Sequence, residues 1–568
     1  MSKHDSMGPL LDESRQLQLS EDQGSLGSNT LPGSVLDLEV GVSKEVTALV
    51  DDVDPSSAEY VKVRLSRIQF VLVYISLGLS IFLASLDQTI VTTALPAIVK
   101  ELKSFDQISW IGTAFFITST AFTPLYGKLA DIFGRKFAFL SAILVFEAGS
   151  LLCGIATSMN VLIVGRAVAG VGGGGIMSLV LIIISDIVSF RDRGKYQGIV
   201  GAIIGLSAVI GPLLGGAFTD GLSWRWCFYI NLPIGGVAVA IVAVLLRYPP
   251  EPRSGEPMSV KLRRIDYFGM ALILGAVICL QIPLDFGGDK WAWMDWRTIF
   301  MFDGAALLFI AFGLIEAYVA IEPLLPPAIF RNATLISLLV YSFLYGASFF
   351  GLLYYLPTYF QLVNGDTATQ SGLSTMPLLA GVAAFSVISG VLVSRFGQYK
   401  PLIFGGAIVL CVGAGLISTF GQHTSRAAQI IFQIISGCGI GCLMQMRVIG
   451  IQASVAAEHI TVATSGSTFF ASLGGSIGVG IVGAVFKNVL HDQLNPHISE
   501  IVANSPTAVR QLPQPMLDQA LDGFSTAFQT AYKVIIPLSA LIVVCGFFIK
   551  PVPIVPGEKR EYSTVVAE

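Results

Sequence analysis

The amino-acid sequence predicts an all-α membrane protein with fourteen membrane-spanning helices. Of its 568 residues, 53% are hydrophobic and only 13% are charged, whereas soluble domains carry about 25% charged residues. The apolar residues are collected in runs of about twenty, the length that an α-helix needs to cross a bilayer. Most of the molecular surface is therefore expected to face lipid. The net charge of -4 gives no reason to expect nucleic-acid binding.

Fourteen apolar runs define the predicted helices. The two least regular are the seventh, which Pro283 interrupts, and the eighth, which contains Asp303 and Glu316. The runs lie at 69–95, 108–130, 137–157, 161–187, 196–219, 227–246, 267–286, 299–320, 333–356, 371–394, 402–420, 427–449, 466–486 and 533–549.

The distribution of lysine and arginine predicts the orientation of the chain. With a cytosolic N-terminus, twenty-one of these residues, Arg447 among them, fall on the cytosolic side and nine on the other side. Positively charged loops are retained in the cytosol, so both termini are expected there. Residues 1–60 hold twelve acidic and three basic residues, which is typical of a disordered tail.

The helices and loops suggest a division into five parts. A weak repeat supports it, because the segments 127–136 and 390–400 share a glycine, a Phe-Gly pair and a following basic residue. The predicted parts are a disordered cytosolic tail 1–66, a six-helix half 67–250, a linker with two extra helices 251–330, a second six-helix half 331–550 with an outer loop 488–532, and a cytosolic tail 551–568.

The segment between the second and third helices resembles the signature loop of the major facilitator superfamily. It contains Gly127, Asp131, Gly134, Arg135 and Lys136, and departs from the family pattern by an isoleucine at 132. The resemblance implies a gating loop on the cytosolic face and the major facilitator fold of two six-helix halves. Asp186, at the inner end of helix four, is at the right depth to pair with Arg135. The alternative is a simple basic loop that only fixes orientation.

The fifth helix resembles the antiporter motif of the same superfamily. The motif residues are Gly205, Gly211, Pro212, Gly215 and Gly216. Glycines allow another helix to approach closely, and the proline bends the helix by removing one backbone hydrogen bond. General helix packing is the alternative explanation.

Two charged residues inside predicted helices suggest proton coupling. Arg166 matches the helix-four arginine that the family associates with this step, and Asp87 belongs to a helix-one pattern typical of fourteen-helix drug:proton antiporters. Both lie in the outer half of the membrane at 1.5 Å per residue, so they are expected to approach and exchange partners. A static ion pair is the alternative. Glu147, near the midplane, either binds and releases a proton or remains protonated or hydrogen-bonded throughout.

The resemblance covers about 69–550 and is closest to the fungal toxin and multidrug efflux group. A substrate cavity is expected to involve Tyr345, Phe349, Tyr354 and Gln433, although aromatic residues in membrane helices more often face lipid or other helices.

The predicted function is proton-coupled efflux of small organic molecules such as toxins, secondary metabolites or drugs. The sequence contains no Walker A loop, no zinc-protease motif and no histidine cluster, so we expect no enzyme activity and no cofactor or metal, with a proton gradient as the energy source. The expected partners are a small-molecule substrate and the bilayer. We expect a monomer in the plasma membrane, with the vacuolar membrane as the alternative. A nutrient uptake carrier and a non-transporting membrane receptor are the rival functions.

Overall fold

A computed structural model describes residues 63, 65–104, 107–248, 256–287, 291–494 and 512–550. Almost all of the predicted tails 1–66 and 551–568 therefore lie outside the described residues. Within the described part the chain is helical, and each of the fourteen predicted spans corresponds to a helix.

The fourteen helices are numbered here in chain order. They are α1 (Arg67–Leu102), α2 (Ile108–Phe133), α3 (Arg135–Gly154), α4 (Met159–Ile187), α5 (Arg193–Gly221), α6 (Trp226–Leu245), α7 (Tyr267–Phe286), α8 (Trp296–Tyr318), α9 (Ala333–Tyr359), α10 (Ala368–Phe396), α11 (Lys400–Ile417), α12 (Arg426–Ser454), α13 (Ile460–Gln493) and α14 (Ile535–Phe548).

Thirteen spans in the described part are long and apolar enough to cross a membrane. The remaining helix, α2, is 26 residues long but rich in serine and threonine. Its length exceeds the roughly twenty residues that a bilayer requires. The predicted all-α membrane fold is confirmed, while the side of the membrane on which each terminus lies stays a prediction.

Polar residues at the helix starts fix several boundaries. Ser66 caps α1 and forms a reciprocal capping box with Gln69. Thr367 and Gln370 do the same for α10, and the Ser425 hydroxyl accepts a hydrogen bond from Ala428 N in α12. Such caps satisfy amide groups that have no partner within the helix.

The prediction of an outer loop over 488–532 is wrong in part, because some of these residues are helical. Helix α13 continues to Gln493, and residues Gln514–Lys533 form a further helix that leads directly into α14. One face of this helix is apolar and buried, with Phe524 and Phe528 almost inaccessible. The sequence suggested a loop because the other face is polar, which lowers the average hydropathy of an amphipathic helix.

Hydrophobic packing in the described bundle forms two large clusters, a smaller one at the Glu101 side of the first large part, and a bridge. One cluster draws its buried residues from 63–248, together with Val448, and the other from 329–549. The bridge joins α7 and α8 to α2 and α13, through residues such as Ile117, Val277 and Phe469. The two extra helices therefore contact both large parts of the bundle.

Contacts between loops define the two ends of the bundle. At one end Arg135 contacts Asp186 and Thr461, and we call it the Gly134 end. At the other, Glu101 pairs with Arg225, and we call it the Glu101 end. Gly134 joins α2 to α3 with a φ of 91°, a backbone conformation that glycine adopts readily.

The Gly134 end is closed by contacts between the two large parts of the bundle. Helices α5 and α10 cross where Gly194 meets Gly390, and a Cβ on either glycine would overlap the opposite backbone. Five hydrogen bonds between described residues join the two parts there, namely Gln197–Gln452 at 3.1 Å, Arg135–Thr461 at 3.2 Å, Ser386–Gly198 at 3.1 Å, Lys195–Ser394 at 3.1 Å and Arg191–Ser394 at 3.4 Å. This end of the bundle is therefore sealed.

Candidate functional site

A cavity of about 580 Å³ lies between the two large parts of the bundle. Its lining includes residues near the middle of the helices, such as Ser85 and Met177, and residues at the Glu101 end, such as Gly287, Thr358 and Lys487. The cavity therefore extends from mid-bundle toward the Glu101 end, and the seal described above closes it off from the Gly134 end. Its volume suits a drug-sized organic molecule.

Three of the four predicted cavity residues line this space. Tyr345, Phe349 and Tyr354 belong to the wall, together with Phe116 and Phe350. Phe349 and Phe350 pack with ring centroids 5.0 Å apart, and Phe116 approaches Phe350 at 6.5 Å. The wall thus offers several aromatic surfaces to a flat apolar ligand.

The expectation for Gln433 is not met. Its side chain is fully buried, and its Nε2 donates to the carbonyl oxygens of Ser374 and Gln429 at 3.0 and 3.1 Å. It links α12 to α10 away from the cavity lining. The glutamines that do line the cavity are Gln88, Gln281 and Gln445.

Arg447 is the cavity residue that sequence reasoning missed. It was counted among the cytosolic loop charges because the predicted helix ended at 449, but α12 continues to Ser454. Arg447 is therefore inside the bundle, only 7% exposed, and lines the cavity. An arginine between Gln445 and Gln452 in a long apolar run was the available signal, since charges inside membrane helices are rare.

Asp87 and Arg166 form an ion pair in the first large part of the bundle. Arg166 Nη1 lies 2.5 Å from Asp87 Oδ2, and the two side chains are 3% and 0% exposed. Arg166 Nε donates to the Ile111 carbonyl at 3.0 Å, and the Phe115 ring lies 4.5 Å from the guanidinium carbon. Neither charged residue belongs to the cavity wall.

A small hydrogen-bond network extends from this pair toward α3 and α6. Asn231 Nδ2 lies 3.0 Å from Ser150 Oγ and 3.4 Å from Asp87 Oδ1. The structure thus brings together Asp87 and Arg166, as their depth predicted, and adds Asn231.

Glu147 lies about one helical turn from this network. It is one turn before Ser150 on α3 and packs against Gly235, one turn after Asn231 on α6. Neither oxygen of the Glu147 carboxyl has a hydrogen-bond partner. A charged carboxylate in such surroundings is costly, so the neutral, protonated form is favoured there.

The predicted gating-loop residues come together at the Gly134 end. Arg135 bridges Asp131 at 3.1 Å and Asp186 at 3.4 Å. Lys136 donates to the Ala243 carbonyl at 2.6 Å. Gly127 faces Ser465 of α13 so closely that a Cβ would overlap the serine side chain. The loop therefore contacts α4, α6 and α13, which a simple exposed basic loop would not do.

A second ion cluster links the same loop to the extra helices. Lys128 Nζ lies 2.9 Å from Glu322, which also pairs with Arg264 at 2.6 Å. Burial raises the pKa of Glu322, but the hydrogen bonds from Arg264 and Lys128 outweigh burial and leave that pKa below 4.5. The same contacts raise the pKa of Arg264. Both groups are therefore held in their charged forms.

The glycines of the predicted antiporter motif contact two different helices. Gly211 faces Thr89, and Gly215 faces the Ile90 carbonyl, so both bring α5 against α1. Gly205 instead faces α10, where an added Cβ would lie 3.2 Å from Ala383, and Pro212 interrupts the α5 backbone near Gly372 of α10. A Cβ at Gly216 would meet nothing within 4 Å, so this glycine makes no close helix contact.

Within the described residues no group of three or more His, Cys, Asp and Glu side chains is arranged to hold a metal ion. The site consists instead of an aromatic cavity, a separate ion pair and a carboxyl without a hydrogen-bond partner.

Comparisons with known proteins agree with this architecture. The solved structure of the human organic anion transporter MFSD10 (TETRAN) covers 84% of this chain and 99% of its own, with a TM-score of 0.56 at 15% identity. The proton:xylose symporter XylE covers 87% of this chain and 98% of its own, with a TM-score of 0.54 at 14% identity. At such low identity these likenesses concern the fold alone.

Relatives at higher identity are fungal. The MFS-type efflux pump MFS1 of Arthroderma benhamiae is 36% identical over 480 residues, covering 82% of this chain and 89% of the relative. The rubrofusarin-specific efflux pump aurT of Gibberella zeae is 36% identical over 462 residues, covering 80% and 84%. The efflux pump aflT of Aspergillus parasiticus is 33% identical over 504 residues, covering 87% and 97%. The family model described as Major Facilitator Superfamily matches residues 77–479, and the chain belongs to this superfamily.

Proposed function

We propose that this protein is a proton-coupled efflux transporter that exports small organic molecules by alternating access. The observation that carries the proposal is the cavity of about 580 Å³ between two large parts of the bundle, open toward one end and sealed at the other. A cavity at such an interface is exposed to opposite sides in turn when the two parts rock against each other. The fungal relatives MFS1 and aurT are named efflux pumps, which favours outward transport.

Proton coupling is proposed from three buried groups outside the cavity wall. Protonation of Asp87 would remove its charge and weaken its pairing with Arg166. Glu147, one helical turn away and without a hydrogen-bond partner, is a second proton acceptor. A proton that binds one conformation more tightly than the other shifts the equilibrium between them. The energy source in this proposal is the proton gradient, with no cofactor.

The cellular setting follows from the same function. Export from the cell requires the plasma membrane, with the Gly134 end in the cytosol, where the basic loops are retained. A single chain contains both large parts and the whole cavity, so a monomer suffices.

The test is accumulation of fluorescent apolar compounds in yeast that lack their own exporters and express this chain. We expect reduced accumulation that a protonophore restores, and the same loss of export in Arg166→Ala and Glu147→Gln. The matched control is Glu458→Gln, which changes an exposed glutamate at the Gly134 end and should export normally. Undiminished export in the presence of the protonophore, or in both variants, would refute proton coupling; increased accumulation would indicate uptake instead.

A further inference from the structure

The charged residues in the cavity wall are all cations. Among the described residues that line the cavity, Arg447 and Lys487 are charged, and none is an aspartate or glutamate. Arg447 lies about two turns before the Gly134 end of α12, while Lys487 lies toward the Glu101 end of α13. A cavity with this charge attracts anions along its length and disfavours cations.

Arg447 has no carboxylate partner within the described residues. It is 7% exposed, and its Nη1 donates to the Ser467 hydroxyl and carbonyl oxygens at 3.1 and 3.3 Å. The Tyr345 ring lies 5.4 Å from the guanidinium carbon, and the Arg447 Nε has no hydrogen-bond partner. Because an unpaired charge away from water is strongly disfavoured, this arrangement is stabilised by an anion.

Arg166 differs from Arg447 in having a carboxylate partner. Arg166 is also buried, in the other large part of the bundle, but Asp87 neutralises it. Among the described residues, a carboxylate neutralises the arginine outside the cavity, and none lies beside the arginine in the cavity wall. Structural need alone does not explain that difference, because a carboxylate could be placed beside Arg447 as well.

Two further cavity residues carry buried polar atoms without partners. The Gln445 side-chain oxygen accepts no hydrogen bond, whereas its amide nitrogen donates to Ser386 Oγ at 2.9 Å. The Ser85 hydroxyl also has no partner. Both residues line the cavity, on opposite parts of the bundle. Buried polar groups normally have partners, so a ligand with its own hydroxyl group would satisfy them.

We infer that the transported substrates include aromatic organic anions, whose carboxylate or phenolate is bound by Arg447 and whose ring lies against the aromatic wall. This inference rests on the proposed function, because it names the substrate class of that cavity. The aromatic residues around Phe349 favour an organic anion over a small inorganic one. Lys487 attracts the anion at the outer part of the cavity.

The test uses two probes of equal shape, 6-hydroxy-2-naphthoate and its primary amide, binding to the purified full chain in lipid nanodiscs at pH 7.5. Gluconate replaces chloride in the buffer, so that small anions do not occupy Arg447. A charge-assisted hydrogen bond should favour the carboxylate by roughly tenfold or more. Arg447→Gln should remove that preference while leaving amide binding unchanged, and Arg447→Lys should retain part of it.

The matched control is Arg297→Gln, which removes an exposed arginine of α8 that stacks on Trp296 and should leave the preference intact. If Arg447→Gln does not fold, the test uses the ratio of carboxylate to amide binding in the wild-type protein and in Lys487→Gln. We expect that ratio to be a few-fold lower in Lys487→Gln. Equal binding of the two probes, no binding of the carboxylate, or a preference unchanged in Arg447→Gln would each overturn the inference.

The same probes separate this inference from the proposed function. Protonophore-sensitive export of the amide and the carboxylate at equal rates in cells would refute the anion preference and leave proton-driven efflux standing. A carboxylate preference in binding that depends on Arg447, without energised export, would refute the proposed function and support the anion site.

Discussion

The buried pair of Asp87 and Arg166 allows a quantitative test by a double-mutant cycle. The variants are Asp87→Asn, Arg166→Gln and the two together. Asp87→Asn leaves a buried guanidinium with the Ile111 carbonyl and aromatic rings as its remaining contacts. Arg166→Gln leaves a buried carboxylate with only the Asn231 amide, at 3.4 Å.

The expected magnitudes follow from burial. Breaking a buried ion pair by removing one partner costs about 3–5 kcal/mol, because the other charge is left uncompensated. Solvent screening does not reduce this cost here, since the side chains are 3% and 0% exposed. Removing both charges eliminates the uncompensated charge, and buried pairs replaced as a whole often cost little. The double variant should therefore be more stable than either single variant.

The assay is unfolding of the purified protein in detergent, followed by tryptophan fluorescence, with export measured in parallel. Stability should recover in the double variant, but export should be absent from all three, because each lacks at least one member of the pair whose separation is proposed to follow protonation. A double variant whose loss of stability equals the sum of the two single losses would refute direct coupling between the side chains. Normal export by the double variant would refute their role in the transport cycle.

Two further predictions concern the Gly134 end. Gly127→Ala should be less stable than Gly216→Ala by about 1–3 kcal/mol. Both variants gain helix propensity, but only Gly127→Ala adds a Cβ against Ser465. Equal free energies of unfolding for the two variants would contradict the close contact. Glu322 has a pKa below 4.5 in the folded state, so its stabilising effect is present above pH 4.5 and is lost as the pH falls through the folded pKa. The free energy of unfolding, measured from pH 7 to pH 3, should therefore fall by about 1 kcal/mol less in Glu322→Gln than in the wild-type protein. Parallel curves for the two proteins would contradict the ion cluster.

The sequence predicted the number of helices because membrane spans depend on length and apolarity, which are local properties. It also placed Asp87 and Arg166 at matching depths, since helix rise converts residue numbers into position along the membrane normal. Depth says nothing about rotation around the helix axis. For that reason the sequence predicted that the pair could meet, but did not identify Asn231 as a third member.

The incorrect predictions for Gln433, Arg447 and the segment Gln514–Lys533 have related causes. Gln433 and Gln445 are polar residues on one helix, three turns apart and facing different neighbours, and only the packed structure distinguishes the cavity residue from the structural one. Arg447 was misplaced because the predicted apolar run ended at 449, only two residues later, whereas α12 continues to Ser454. The helix Gln514–Lys533 was missed because amphipathic helices lack the uniform apolarity that marks a span.

The hydrogen bonds that close the Gly134 end contribute to the free energy needed to switch between conformations. The five hydrogen bonds named there contribute roughly 0.5–1.5 kcal/mol each, together about 2.5–7.5 kcal/mol, because water replaces them when the contact opens. Moving a two-state population from 1:99 to 99:1 requires about 5.5 kcal/mol of differential binding. The seal is therefore of the size that binding of a proton or a substrate can overcome, whereas a large apolar interface would hold the protein in one state.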